Sequence, residues 1–329
     1  MQQPPLAPSS EFDAAIIGAG PAGASCAVWL ARLGLRPLLL DAADAPGGLE
    51  RGNPYPDNWI AVLPGVTGEQ VADNIAASLH AAGVAPRLRH RVTQLHRTPA
   101  GTFELEVDDG DGARSRLLAP RLVIASGVRP RGLGARDEPA TTAPGVLVGP
   151  GRHIVAQDYA GLSVAVLGGG DNGFENHAYV HTRGARQVHL YARTIRAQRQ
   201  WVASTPADQV FEGDYVVDPQ ARTVNGRAYD LILVFHGWSP QAGFADGLGL
   251  ARDARGFIRT DFATARTSVA GVHAIGEAAQ RMHPCVVTAL ADGVVAAKDI
   301  QADVEHRRAA GPESALSPAR SPAPAAPPA

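Results

Sequence analysis

Cysteine is nearly absent from this chain of 329 residues, which holds only Cys26 and Cys285. Two thiols so far apart in sequence exclude a disulfide scaffold, a Cys-x-x-Cys redox pair and a thiolate zinc knuckle. A reducing cytoplasm is the expected location. Lysine is scarcer still: Lys298 is the single one, and arginine supplies the rest of the basic charge. The formal net charge of −2 gives no drive toward nucleic acid or an anionic membrane. There is no His-Glu-x-x-His and no Gly-x-Ser-x-Gly, so neither zinc-dependent nor serine hydrolysis has a motif to rest on. The start, residues 1–10, is polar and proline-containing. It lacks the basic opening and apolar stretch of a secretory leader and is expected to be disordered. Residues 14–31 are uncharged over eighteen positions, but Gly18, Gly20, Pro21 and Gly23 interrupt them. A strand, a turn and a helix suit that stretch better than a membrane span.

Glycine, by contrast, is abundant, with 36 residues. Two glycine turns stand 150 residues apart: Gly18-Ala19-Gly20-Pro21-Ala22-Gly23 and Gly168-Gly169-Gly170-Asp171-Asn172-Gly173. Each follows a short apolar run and precedes a segment of helical spacing. In such a turn the first glycine permits the tight bend, the second lets a pyrophosphate approach the backbone, and the third lets helix and strand pack closely. The helix N-terminus then offers free N–H groups to phosphate. Two such turns a domain's length apart predict a protein that holds two dinucleotides.

The opening reads β-α-β. A strand is predicted over 14–17, a helix over 22–33 with Val28, Trp29, Leu30 and Leu33 inward and Gly34 as its C-terminal cap, and a strand over 36–40. Asp41 ends that strand, where a carboxylate meets a ribose. A helix is predicted over 69–82. A hairpin is predicted over 102–125, its return strand ending in 122–125. The second β-α-β runs from Ser163 to Tyr191. Asn225-Gly226 predicts a tight hairpin, 231–235 and 272–275 predict buried strands, and 286–299 predicts a helix. The Pro/Ala-rich end is expected to be a disordered tail.

The order of these motifs resembles the low-molecular-weight thioredoxin reductases and their relatives among the flavoproteins that bind two dinucleotides. The resemblance spans about residues 12–301 and rests on several pieces taken together. They are the Gly18 turn, Gly47-Gly48, Asp57-Asn58, Pro64-Gly65, Ala125-Ser126-Gly127, the Gly168 turn, 271–277, Thr288-Ala289 and Asp292-Gly293. It implies an α/β fold of two Rossmann-like domains, the NAD(P)-binding domain inserted into a discontinuous FAD-binding domain. The expected division is 1–10 disordered, 11–128 and 241–305 for FAD, 129–240 for NAD(P)H, and 306–329 as the tail. The FAD site is expected to comprise Gly18, Gly20, Pro21, Ala22, Gly23, Asp41, Gly48, Asn58, Ala125, Gly127, Gly276, Glu277, Cys285 and Val286. Glu277 departs from the family's aspartate by one methylene.

A larger departure bears on function. Where the family carries its redox Cys-x-x-Cys, this chain has Gly151-Arg152-His153-Ile154. Disulfide exchange needs two sulfurs, so reduction of thioredoxin by that route is excluded. For the second nucleotide, Gly168, Gly170, Asp171, Asn172, Gly173, Arg193 and Arg196 are expected to bind. The two arginines favour the 2′-phosphate of NADPH over NADH.

The expected activity is an FAD-dependent NAD(P)H oxidoreductase that passes electrons to a non-dithiol acceptor: a ferredoxin- or flavodoxin-type protein, a quinone, a small organic substrate or dioxygen. The alternatives are a non-catalytic flavin or nucleotide sensor, and a flavin-dependent oxidase or monooxygenase. Cys285 and His283 are the candidates for a chemical role, with His153 a further one. A homodimer is expected from the resemblance.

Overall fold

A computed structural model describes residues 11–134 and 143–310. The expected disorder at 1–10 and over 311–329 lies outside the described residues.

The first sheet is parallel and has four strands in the order Val272–Ala274, Leu122–Ile124, Ala14–Ile17, Pro37–Leu40. Every residue of the Ala14–Ile17 strand is buried, as a strand covered on both faces requires. Successive side chains alternate between the faces. Ala14 and Ile16 pack with Leu30, Ile75 and Ile300 on the helical side. Ala15 and Ile17 pack with Leu95, Phe103 and Leu105 on the other. That second layer is a three-stranded antiparallel sheet, Arg91–Arg97, Phe103–Asp108 and Arg114–Ala119.

Four details differ from the sequence reading. The expected return strand is two strands: it breaks at Pro120, and Leu122–Ile124 joins the parallel sheet. The Arg91–Arg97 strand has no counterpart there, because a register shift between Val92 and Gln94 disturbs its alternation. Trp29 on the first helix, Pro21–Arg32, is 41% exposed instead of inward. The last helix continues to Ala310, so residues 306–310 are helical and not part of a tail. Ion pairs line the extension: Asp303 meets the distant Arg121 and, within the helix, Arg307, and Arg308 meets the distant Asp13.

The second sheet is parallel with five strands, in the order Val210–Glu212, Gln187–Ala192, Ser163–Leu167, Leu231–Val234, Val146–Val148. The helix Asp171–Thr182 packs on it through Phe174 and Val180. Asn225 and Gly226 both have positive φ, +50° and +77°, and turn the Thr223–Val224/Arg227–Ala228 hairpin. A short antiparallel pair, Val128–Pro130 with Trp238–Pro240, carries the chain between the two sheets. The fold is therefore α/β with two Rossmann-like units. No helix among the described residues is long and apolar enough to cross a membrane.

Candidate functional site

One cleft of about 2220 Å³ runs between the two units and is lined by residues of both glycine turns. At its first end, Gly18 sits at φ +111° with the backbone of Ala125 beside it, where a Cβ would come within 2.4 Å of the carbonyl oxygen. A Cβ on Gly23 would lie 1.9 Å from the Gly18 oxygen. Gly20 differs: a Cβ there would meet only the Gly48 Cα, at 3.7 Å. So the first and third glycines serve packing, while the second faces open space that a ligand can enter. The second turn repeats this. A Cβ on Gly173 would stand 2.1 Å from the Gly168 oxygen, whereas Gly170 has nothing within 4 Å. Both turns thus fit a pyrophosphate laid along a helix N-terminus.

Asp41 stands where the strand Pro37–Leu40 ends. Its carboxylate accepts hydrogen bonds from the Ala19 and Ala43 amides, at 2.5 and 2.7 Å, which ties it to the first turn. Beside Ala22 of the first turn, the Gly276 amide donates to Asp292 at 3.0 Å, and Asp292 pairs with Arg281 at 2.7 Å. Both side chains of that pair are 3% exposed. The Gly276-Glu277 turn is thereby fixed from below. Pro21, Ala22, Gly48, Ala125, Gly127, His283, Cys285 and Val286 line the same cleft. Thr288 organises the segment before the last helix: its hydroxyl donates to the His283 carbonyl at 2.6 Å and accepts from the Cys285 amide at 3.3 Å.

Two carboxyls face this region. Burial raises that of Glu277, and the charge of Glu50 raises it further. Glu50 is raised chiefly by its own burial, against a hydrogen bond from Asn53, with Asp57 adding repulsion. No sequence motif marks Glu50, because Glu277, the carboxyl it repels, lies far away in the chain.

At the second end Asp171, Asn172, Arg196 and Gln198 line the cleft. Asp171 accepts from the backbone and side chain of Gln198, at 2.7 and 3.0 Å, and so braces the loop that carries Arg196. Glu175 and Asn176, one turn along the helix, also line it, as does Tyr55. None of these three belongs to a motif legible in the sequence.

Not every expected residue meets the cleft. Asn58 is exposed and outside its lining, while Asp57 and Trp59 line it. Asp57 accepts from the Trp59 amide at 3.0 Å, and that local turn carries Asn58 outward. Arg193 is also outside the lining, its guanidinium 6.0 Å from the Tyr215 ring centre. His153 is not in the lining, although Gly151 is. Cys26 is fully buried, and burial pushes its thiol up to about 12. Neither cysteine is in a disulfide.

Residues 12–205 match the family model described as pyridine nucleotide-disulphide oxidoreductase. The chain belongs to the pyridine nucleotide-disulphide oxidoreductase family. As a member it is an oxidoreductase, and its sequence holds no Cys-x-x-Cys pair. It is 26% identical over 320 residues to a thioredoxin reductase of Peptoclostridium litorale, covering 89% of this chain and 97% of that one. It is 31% identical over 295 residues to a ferredoxin–NADP reductase of Limosilactobacillus fermentum, covering 81% and 85%. Its fold resembles the crystal structure of Lactococcus lactis thioredoxin reductase in its FR conformation. There the TM-score is 0.74 at 24% identity, with 90% of this chain and all of that chain covered.

Proposed function

We propose that this oxidoreductase takes a hydride equivalent from NADPH through FAD and delivers electrons to an acceptor that is not a dithiol. FAD and NADPH are its two cofactors. The observation that carries this reading is the single cleft joining two pyrophosphate-shaped glycine turns. The ferredoxin–NADP reductase relative supports an acceptor that needs no sulfur pair.

The assignment follows the cleft. Residues 11–128 and 241–305 hold FAD, and residues 129–240 hold NADPH. Gly18, Gly20, Pro21, Ala22 and Gly23 take the FAD pyrophosphate, Asp41 its ribose, and Gly48, Ala125 and Gly127 the wall beside it. Gly276, Glu277, Cys285 and Val286 face the flavin half. Asn58 serves only if its loop turns inward. Gly168, Gly170, Asp171, Asn172 and Gly173 take the NADPH pyrophosphate, with Arg196, and Arg193 behind it, for the 2′-phosphate. When bound, FAD supplies the step between a two-electron donor and the acceptor. The chain binds the nucleotides, aligns them and keeps their charges paired. The acceptor is a ferredoxin- or flavodoxin-type protein, a quinone, a small organic molecule or dioxygen. A cytoplasmic homodimer completes the proposal.

The test is a panel of acceptors offered to the FAD-loaded protein with NADPH. Turnover with one class and none with thioredoxin supports the reading. Turnover with thioredoxin equal to that of a dithiol enzyme would contradict it.

A further inference from the structure

The junction of the two units holds polar atoms that the fold itself does not use. Asn176 is 2% exposed and lines the cleft. Its side-chain nitrogen donates to the Asn172 carbonyl at 2.8 Å. That bond fixes the amide's orientation, because the reverse would set two oxygens against each other. Its oxygen Oδ1 is buried and has no hydrogen-bond partner among the described residues. The Tyr55 hydroxyl, contributed by the other unit, is likewise buried with no partner among them. Tyr55 lines the same cleft and meets Tyr179 edge-on, ring centres 5.5 Å apart. Glu175, next to Asn176 on its helix, also lines the cleft, and its charge acts on Tyr55. Burial first, then Tyr179 and Glu175, push the Tyr55 phenol up to about 12, so it stays protonated.

Buried polar atoms are normally satisfied, and an orphan inside a cleft points to a ligand group. The chemistry of the orphans is specific. Asn176 Oδ1 only accepts, so its partner is a donor; a phosphate oxygen does not qualify. The Tyr55 hydroxyl is free to donate, so its partner can be a carbonyl. A planar primary carboxamide presents both, an NH2 and a C=O, side by side.

We infer that Tyr55 and Asn176 form a subsite for a primary carboxamide, that of the nicotinamide ring, with Asn176 accepting from its NH2 and Tyr55 donating to its carbonyl. The inference rests on the proposal that the cleft binds a nicotinamide dinucleotide. Because the two residues belong to different units, the carboxamide also bridges those units when it binds.

The test is calorimetric binding to the FAD-loaded protein of three probes. These are NADP+, its 3-acetylpyridine analogue, in which a methyl group replaces the NH2, and 2′,5′-ADP, which has no nicotinamide. Wild type should prefer NADP+ over the analogue by about tenfold or more, one buried hydrogen bond's worth. Asn176→Ala should remove most of that preference and leave 2′,5′-ADP binding unchanged. Tyr55→Phe should weaken NADP+ and the analogue alike, because both keep the carbonyl. An unchanged preference in Asn176→Ala overturns the inference while the nucleotide site stands. Failure of wild type to bind either NADP+ or 2′,5′-ADP overturns the nucleotide proposal, and this inference with it.

Discussion

Arg152 donates through Nε to Glu69 at 2.7 Å, tying the segment ahead of the second glycine turn to the first turn of the Gly68–Ala81 helix. In the family's dithiol members that segment carries the sulfurs. Here it carries a cross-unit ion pair. The pair is well exposed, with 66% and 35% of the two side chains open to solvent. Arg152→Ala should therefore cost at most about 1 kcal/mol of stability, and less in high salt. Urea unfolding at two salt concentrations measures it. A loss of several kcal/mol would mean that the pair is a structural pin.

The glycines of each turn should separate into two kinds of defect. Gly20→Ala and Gly170→Ala have room for a methyl group in the protein itself. They should keep the melting temperature of the cofactor-free chain and weaken FAD and NADP+ binding respectively. Gly23→Ala and Gly173→Ala drive a Cβ into a backbone oxygen. They should destabilise the chain by about 1–3 kcal/mol before any cofactor is added. Thermal melts paired with cofactor titrations distinguish the two patterns.

The buried Arg281–Asp292 pair predicts a large and asymmetric effect. Removing one partner by Arg281→Met leaves a charge at 3% exposure with no counterion, which costs about 3–5 kcal/mol. The Gly276 amide keeps its bond to Asp292, so FAD affinity should fall less than stability does. Chemical denaturation and FAD titration of the same variant compare the two losses.

Glu277 sets a pH dependence of opposite sign to most carboxylates. Burial and then Glu50 raise its folded-state titration above that of the unfolded chain. Ionisation therefore disfavours the fold at pH above that raised value, and the cost disappears as pH falls below the unfolded value near about 4.3. Glu277→Gln should raise the melting temperature of the cofactor-free protein at neutral pH. The gain should shrink on acidification and vanish below about pH 4. A constant gain across pH would rule out this cause.

Much of the site could be read from the residues alone, because its parts are local. Gly18 and Gly168 announce their turns, Asp41 ends its strand, and Asn225-Gly226 dictates a hairpin. Features made by distant segments were not legible. The meeting of Tyr55 with Asn176 joins two units, and the repulsion of Glu50 on Glu277 joins the two ends of the chain. The helix runs past Asp299 because distant ion pairs, Arg121 with Asp303 and Asp13 with Arg308, lie along the additional turns. The motif alone places Asn58 inward, whereas in the structure it is exposed and the Trp59 amide bonds Asp57 beside it. Trp59 is 74% exposed on the cleft rim, a placement that hydrophobicity alone does not suggest.

The central claim is electron entry through a flavin with no sulfur relay, and one spectrum tests it most directly. The Cys285→Ala variant, which loses the exposed thiol without adding bulk to the cleft wall, is purified beside wild type and loaded with FAD. NADPH is then added without oxygen. The flavin's visible absorbance should bleach as fully in the variant as in wild type. A wild-type protein that takes up no FAD, or an FAD-loaded variant whose bleaching is abolished, would contradict the claim.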